Sequence, residues 1–165
     1  MIETFLDSDN CIISDKIVRP TPVNPPTYIT FADPVVKQLC VDNWGSNGEI
    51  THEQAAAVTD LNGVFDYWGG NPPSIEITSF NELQYFTGLL ILGESPDGNS
   101  AFSGAEQLKK ITLPPNITII NSSSFASCTS LTSVTIPTSV TSLGVDCFFG
   151  CTSLTSVTIP TSVTS

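Results

Sequence analysis

Fifteen residues occur twice in this chain, letter for letter. The segment CTSLTSVTIPTSVTS occupies residues 128–142 and again residues 151–165, 23 positions later. A unit this short cannot enclose its own hydrophobic side chains, whereas units stacked on near-identical neighbours share one core. A fixed period within the range of about 20–50 residues therefore predicts a solenoid, in which each unit contacts only the units beside it.

The period extends beyond the two copies. Three successive units begin at leucines, and phenylalanines 125 and 148 lie at the same position of two successive units. Because alternate side chains of a strand point to opposite faces, we expect one short parallel strand per unit, ended by a proline, with its Leu, Val and Ile facing inward. A turn at Gly144 would follow, and the chain would then run back to the start of the next unit. We call this second half of each unit the return, and we expect it to bury Phe148. The aligned columns are Leu108/Leu131/Leu154, Ile111/Val134/Val157, Leu113/Ile136/Ile159 and Pro114/Pro137/Pro160.

Two helices around a loop are predicted ahead of the repeats, within residues 28–68. Asp33 suits the N-cap of the first helix, and Pro34 suits its first position. The second helix opens at residues 51–54, where Thr51 and Gln54 have the spacing of a capping box. Further along, the alternation in SIEITSF (74–80) predicts a strand. A short helical turn is predicted for NELQYFTG (81–88) and another strand for LLILG (89–93).

The first residues differ in composition from the rest. Residues 1–18 alternate loosely and fit either short strands or a disordered lead, and RPTPVNPPT (19–27) has the four prolines of a semi-rigid spacer. We therefore divide the chain into a tail and linker at 1–27, a helix-loop-helix at 28–73 and the repeats at 74–165. The last unit is expected to be truncated, since its returning half does not follow.

Charge excludes two classes of partner. The chain carries 16 acidic and 5 basic residues, for a net charge of −11. Nucleic acids and anionic membranes both require Lys and Arg to neutralise phosphates, so neither is expected to bind. No stretch approaches the ~18 apolar residues that span a bilayer, and MIETFLDSDN is acidic where a secretory signal is basic.

Residues for catalysis or metal binding are scarce. The chain has one histidine, His52, expected to be a solvated residue at a helix start, and five cysteines without disulfide or zinc spacing. A nucleophile needs a base beside it, and between Lys109 and Ser165 the only acid is Asp146. We predict neither an enzyme nor a cofactor. Cys128 and Cys151 share a column, where parallel side chains favour free buried thiols over a disulfide.

The repeat L-x-x-V-x-I-P, followed by F-x-x-C, closely resembles the treponemal or BspA-type leucine-rich repeat of bacterial surface proteins. The stretch from Phe31 to Ser165 is similar to such a protein, and FADPVVKQLC and ITSFNELQYFTGL resemble the helix-loop-helix and first units of Bacteroides-type members. The resemblance implies an α/β fold, a right-handed leucine-rich-repeat solenoid capped by the N-terminal helix-loop-helix. Its 23-residue repeat would consist of a short parallel β-strand and a return made of turns or a short helix. It also implies adhesion or host-protein binding.

The resemblance further implies a calcium loop in the helix-loop-helix. Residues 43–54 match such a loop in part, with Asn43 at its first position and Gly48 at the invariant glycine. Gly45 supplies no side chain, and Gln54 stands where a bidentate glutamate belongs, so strong oxygen ligands are missing. We expect a loop that separates the helices without metal.

Three functional hypotheses remain open, of which the third is a helix-loop-helix that responds to metal. In the first, a non-catalytic cell-surface or secreted module binds a host or bacterial surface protein or glycan. In the second, the chain is a structural spacer or truncated remnant without a ligand. Besides the outward side of the sheet, the loop FDYWGGN (65–71) is a second candidate surface. Its aromatic rings could instead plug the first unit. The unpaired strand Leu154–Ile159 is expected to meet another chain. The candidate binding residues, all outward on the sheet, are Lys110, Thr112, Ser133, Thr135, Ser156 and Thr158.

Overall fold

The computed structural model describes residues 2–6, 12–17, 25–67, 71–93 and 100–165. Two α-helices, two 3-10 helices and nine short strands lie within these ranges. The helices are α1 (Pro34–Trp44), α2 (His52–Ala56) and the 3-10 helices Pro72–Glu76 and Asn81–Tyr85. The strands are β1 (Ile2–Leu6), β2 (Ile12–Ile17), β3 (Ser79–Phe80), β4 (Ile91–Leu92), β5 (Lys110–Ile111), β6 (Ile119–Ile120), β7 (Ser133–Thr135), β8 (Ser142–Leu143) and β9 (Ser156–Thr158).

The two N-terminal strands form an antiparallel pair. Ile2 lies opposite Ile17, and the register shifts between Phe5 and Leu6. Of the two alternatives for residues 1–18, the backbone adopts short strands. Most of the predicted proline-rich spacer lies outside the described residues, and the division of the chain at 27 and 73 stays a prediction.

Both helices start as the sequence predicts. The Asp33 carboxylate caps α1 by accepting hydrogen bonds from the backbone N–H groups of Val35 (2.9 Å) and Val36 (3.3 Å). In α2 the Thr51 hydroxyl accepts from Gln54 N (3.0 Å), and the Gln54 side chain accepts from Thr51 N (2.9 Å). These reciprocal bonds satisfy donors that a helix start leaves unpaired.

One hydrophobic core runs through the helices and the repeats. On α1 the side chains of Val36, Leu39 and Cys40 are buried, and they belong to the same cluster of buried residues as Leu108 and Leu131 of the repeats. The helix-loop-helix therefore packs against the stacked units and does not form a core of its own.

The strands of the repeats form parallel ladders. β3 pairs with β5 and β7 with β9, while β4, β6 and β8 form a second, three-stranded ladder. Ser79 lies opposite Lys110, 31 positions later, and Ile91 lies opposite Ile119, 28 positions later. The β6–β8 and β7–β9 pairs are both offset by 23 positions. The first unit is thus longer than those that follow.

The expectation of one strand per unit is wrong, because the units that begin with β3, β5 and β7 each contribute a second strand on their return. The return backbone pairs between units, with Thr141 N donating to Thr118 O (2.8 Å) and Thr164 N donating to Thr141 O (3.0 Å). A Cβ added at Gly144 would lie 2.1 Å from Ser122 N, so only glycine lets the returns approach this closely. Among residues 100–165 the remaining return consists of turns, where short helices were also expected.

The segment SIEITSF is not the strand that its alternation predicts. A 3-10 helix, Pro72–Glu76, takes its first three residues, and only Ser79–Phe80 pairs in a sheet. The two prolines at the start of that helix fix φ and cannot donate to a ladder, which explains the difference. The helical turn and the strand predicted next are confirmed at Asn81–Tyr85 and Ile91–Leu92.

A column of phenylalanines fills the interior of the returns. The rings of Phe102, Phe125 and Phe148 stack with centroids 5.4 and 5.3 Å apart and are nearly parallel. The sequence predicts the burial of Phe148, but its alignment starts at Leu108 and therefore misses Phe102.

Candidate binding face

The outward side of the strands β5, β7 and β9 is polar and exposed. In β7 the side chains of Ser133 and Thr135 are exposed while Val134 between them is buried, as the alternation predicts. The register of β7 and β9 sets serine beside serine and threonine beside threonine. A hydrogen bond from Thr132 N to Lys109 O (3.4 Å) places β5 on the other side of β7. The exposed residues are Lys110, Thr112, Ser133, Thr135, Ser156 and Thr158, which we call the binding face.

Most hydroxyl groups on the binding face are available to a ligand. The Thr112 hydroxyl donates to the Asn81 side chain (3.2 Å). The hydroxyls of the four residues from β7 and β9 make no hydrogen bond to any part of the chain that the structure describes. Two units thus present unpaired donors and acceptors at the spacing of neighbouring strands, about 4.8 Å.

A third outward column was missed by the sequence prediction. Lys109, Thr132 and Thr155 are also exposed, since the residue after each leading leucine points outward as well. The Thr132 hydroxyl donates to Lys109 O (3.3 Å), and Thr152 donates to Thr129 O (3.4 Å) in the same way. Threonines in such columns tie one unit to the next, which gives them a structural role.

The alternative surface, loop 65–71, does not offer Phe65 to a ligand. Its ring is fully buried, with centroids 4.9 Å from Phe80 and 5.5 Å from Phe102. Phe65 thus plugs the first unit, as the structural interpretation of this loop proposed. Residues 68–70 lie outside the described part of the chain.

The predicted degenerate calcium loop is a tight turn. Asn47 and Gly48 both have left-handed backbone angles, and Ser46 N donates to Glu49 O (2.8 Å) across them. The amide of Asn43 is bonded to a carbonyl of α1, and the side chain of Gln54 caps α2. No group of three or more His, Cys, Asp or Glu side chains that could hold a metal ion occurs among the residues described, and the metal-free loop stays a prediction.

The single histidine packs against an aromatic ring. His52 is half-buried, and its ring meets the Tyr85 ring edge-on at 4.5 Å. His52 therefore stays partly exposed while it packs against Tyr85, and its expected lack of a catalytic role stays a prediction.

The aligned cysteines bond to the stacked phenylalanine column. Cys128 donates from Sγ to Phe102 O (3.1 Å), and Cys151 donates to Phe125 O (3.0 Å), so each thiol bridges to the preceding unit. Both are free thiols, Cys128 buried and Cys151 half-buried. When Cys151 ionises, the Cys128 thiol stabilises it by hydrogen bonding, which lowers the pKa of Cys151 and raises that of Cys128.

We predict that Cys151 is the most reactive of the described thiols. Burial raises the pKa of Cys147 to about 12, and burial also raises the pKa of Cys40. Since the thiolate is the nucleophile, iodoacetamide at mildly alkaline pH should label Cys151 about tenfold faster or more than the buried thiols. Mass spectrometry of a Cys11→Ser variant would measure this, with denatured protein as the control. Equal labelling of Cys40 in the native chain would contradict the prediction.

Comparison with known proteins supports a class of protein for the C-terminal part of the chain. The short parallel strands in an α/β chain fit a leucine-rich-repeat fold. The family model described as BspA type Leucine rich repeat region (6 copies) matches residues 95–165 and supports a BspA-like leucine-rich-repeat protein. No curated protein and no solved structure matches the chain significantly.

The family match has only general implications for function. Leucine-rich repeats of this type are typically non-catalytic, serve protein interaction and are commonly surface-associated. None of the helices in the described part of the chain has the length and apolar character needed to cross a membrane.

Proposed function

We propose that the chain is a non-catalytic adhesion module, displayed on a cell surface or secreted, that binds a host or bacterial surface protein or glycan through the binding face. In this proposal the 23-residue units form a right-handed solenoid, and the helix-loop-helix caps its first unit. The observation that supports it best is the pair of outward columns on β7 and β9, whose hydroxyls have no partner within the described chain.

The chemistry of the binding face favours a polar ligand. Its serine and threonine hydroxyls can donate to and accept from sugar hydroxyls or peptide groups. Lys110 adds a positive charge beside them, in a chain whose net charge is −11. The large exposed apolar side chains that commonly anchor tight protein interfaces lie elsewhere in the described structure. Recognition would then depend on several hydrogen bonds across adjacent units.

A bulky substitution on the binding face tests this proposal. The double variant Ser133→Arg/Thr135→Arg should lower the affinity for a ligand found on protein and glycan arrays by about tenfold or more, because two side chains cover the hydroxyl columns. The matched control is Thr138→Arg, an exposed threonine of the same unit that lies outside β7. Surface plasmon resonance would measure both. Equal affinity of the two variants would contradict use of this face.

The alternative function is a structural spacer. The hydrogen bonds from threonine hydroxyls to the preceding unit favour this alternative, because they give those threonines a structural role that requires no ligand. An absence of saturable binding to every array component would support the spacer.

A further inference from the structure

A groove between α1 and the 3-10 helix Pro72–Glu76 shares no residue with the binding face. The two helices pack against each other, and the groove between them has a volume of about 360 Å³. Ligand sites commonly have volumes of about 300–1,000 Å³. We call this feature the α1 groove. Its walls include four apolar and two acidic residues, which are Pro34, Val35, Leu39, Pro73, Asp42 and Glu76.

Hydrogen bonds hold the two walls of the α1 groove in place. The Asp33 carboxylate caps α1 and also accepts from Thr78 N (2.7 Å), two residues after the 3-10 helix ends. At the start of the 3-10 helix, the Ser74 hydroxyl donates to Asn71 O (2.8 Å). Because these contacts fix the walls before a ligand arrives, little conformational entropy would be lost on binding.

The two carboxylates of the α1 groove lack a cationic partner in the described part of the chain. Asp42 accepts a hydrogen bond from the neutral Gln38 (2.7 Å), and Glu76 makes no hydrogen bond or ion pair within the described ranges. Residues 28–93 contain eight acidic side chains and one lysine. That residue, Lys37, is bonded to Glu49 (2.7 Å). A cation that neutralises the groove must therefore come from outside the helix-loop-helix.

The position of Asp42 does not favour the helix that carries it. Asp42 lies in the last turn of α1, where the helix dipole is negative, and no basic residue lies in that turn. A negative side chain weakens a helix end of this polarity. A bound cation would interact favourably with both the carboxylate and the helix end, so a cationic ligand gives Asp42 a role that helix stability does not.

The length of the α1 groove fits a short extended peptide. Pro34 and Asp42 line it from positions about 12 Å apart along a helix that rises 1.5 Å per residue. About four residues of extended chain cover this length, at roughly 3.3 Å each. Proline or aliphatic side chains can pack on Val35 and Leu39. The stem of an arginine or lysine can lie on the same apolar surface while its charged end reaches a carboxylate.

We propose that the α1 groove binds a peptide segment of a partner protein in which an arginine or lysine lies next to proline or aliphatic residues. The apolar residues contact Val35, Leu39 and Pro73, and the cation bonds to Asp42 or Glu76. Arginine is preferred to lysine, because its guanidinium can bond one carboxylate through two N–H groups. This interaction is independent of the ligand proposed for the binding face, and either one can fail without the other.

Fluorescence anisotropy of the full chain with three sets of labelled hexapeptides tests the proposal. In the first set, arginine or lysine alternates with proline, valine or leucine in every combination. Glutamate replaces the cation in the second set, and serine replaces the apolar residues in the third. We expect saturable binding in the first set, none in the second, and affinity lower by about tenfold or more in the third. Added salt should weaken the binding of the first set.

Two pairs of variants test whether the peptide lies in the α1 groove. Glu76→Lys reverses a carboxylate of the groove, and Glu53→Lys makes the same change at an exposed glutamate of α2. Gln38→Arg places a competing guanidinium beside Asp42, and Gln84→Arg adds the same charge at an exposed glutamine outside the groove. Each groove variant should lower the peptide affinity by about tenfold or more, because like charges are brought together. Each control should bind as the original chain does.

Three outcomes would overturn the proposal. The first is no saturable binding of any peptide of the first set below about 1 mM. The second is equal affinity of a groove variant and its control, with the thermal midpoint reporting that both are folded; one folded pair is sufficient. The third is equal binding of the first and third sets, which would reduce the interaction to general attraction by a chain of net charge −11.

Discussion

Replacement of Phe125 by alanine should destabilise the chain by about 3–5 kcal/mol, the usual cost of removing a buried phenylalanine. The Phe125 ring is fully buried, and it stacks on Phe102 on one side and on Phe148 on the other. Its loss would leave a cavity and remove two aromatic contacts, each worth about 0.5–1.5 kcal/mol. Urea unfolding followed by circular dichroism would measure the change.

Phe149 supplies the control for this experiment. It lies on the return beside Phe148 but is 68% exposed, so Phe149→Ala should change stability by no more than about 0.5 kcal/mol. Equal effects of the two substitutions would mean that the phenylalanine column does not hold the returns together.

Replacement of Asp33 by alanine should cost about 3–5 kcal/mol, because a buried acceptor of several hydrogen bonds is lost and its donors are left unsatisfied. Asp33 is 3% exposed. Besides capping α1, its carboxylate accepts from the backbone and hydroxyl of Thr78 (both 2.7 Å) and from Ser79 N (3.4 Å). One side chain thus joins α1 to the start of β3. Chemical unfolding would measure the loss.

The pH dependence of the Asp33 variant separates its charge from its shape. Burial acts to raise the pKa of Asp33, but hydrogen bonds from Thr78, Val36 and Val35 outweigh it and the pKa is lowered. A lowered pKa stabilises the fold above the unfolded value of about 3.9, and that stabilisation is lost as the pH falls through the native pKa. The difference between Asp33→Asn and the original chain should therefore shrink below about pH 4.

Asp42 is the matched control for Asp33. It lies on the exposed side of α1, bonded to Gln38 (2.7 Å), and Asp42→Ala should change stability by no more than about 0.5 kcal/mol. A pH-independent cost for Asp33→Asn would contradict a role for the carboxylate charge.

The inward columns and helix starts could be predicted because they depend on local residue types. Alternation predicts the burial of Val134 between exposed neighbours, and the capping residues Asp33 and Thr51 act within one helical turn. The second strand of each unit could not be predicted in this way. β6 and β8 are two residues long and are defined by hydrogen bonds between units, to which the propensity of their own residues contributes little.

The candidate site was predictable in position but not in its contacts. The outward direction of Ser133 and Thr135 follows from strand alternation. Which hydroxyls are already bonded depends on neighbours one unit away, as the contrast between Thr112 and Thr135 demonstrates. The link from Asp33 to Thr78 spans 45 positions, and no local pattern indicates it.

The constant 23-position offset between the later units has a consequence for how such a chain can change in length. The β7–β9 junction pairs identical side chains, because residues 151–165 repeat residues 128–142, whereas the β6–β8 junction pairs Ile119 with Ser142 and Ile120 with Leu143. An in-frame deletion of residues 131–153 would therefore place residues 154–165 on the unit at 108–130, and this junction already exists because residues 131–142 have the same sequence. A change in the number of such identical units can then lengthen or shorten the strand ladder while the interior columns keep the same side chains.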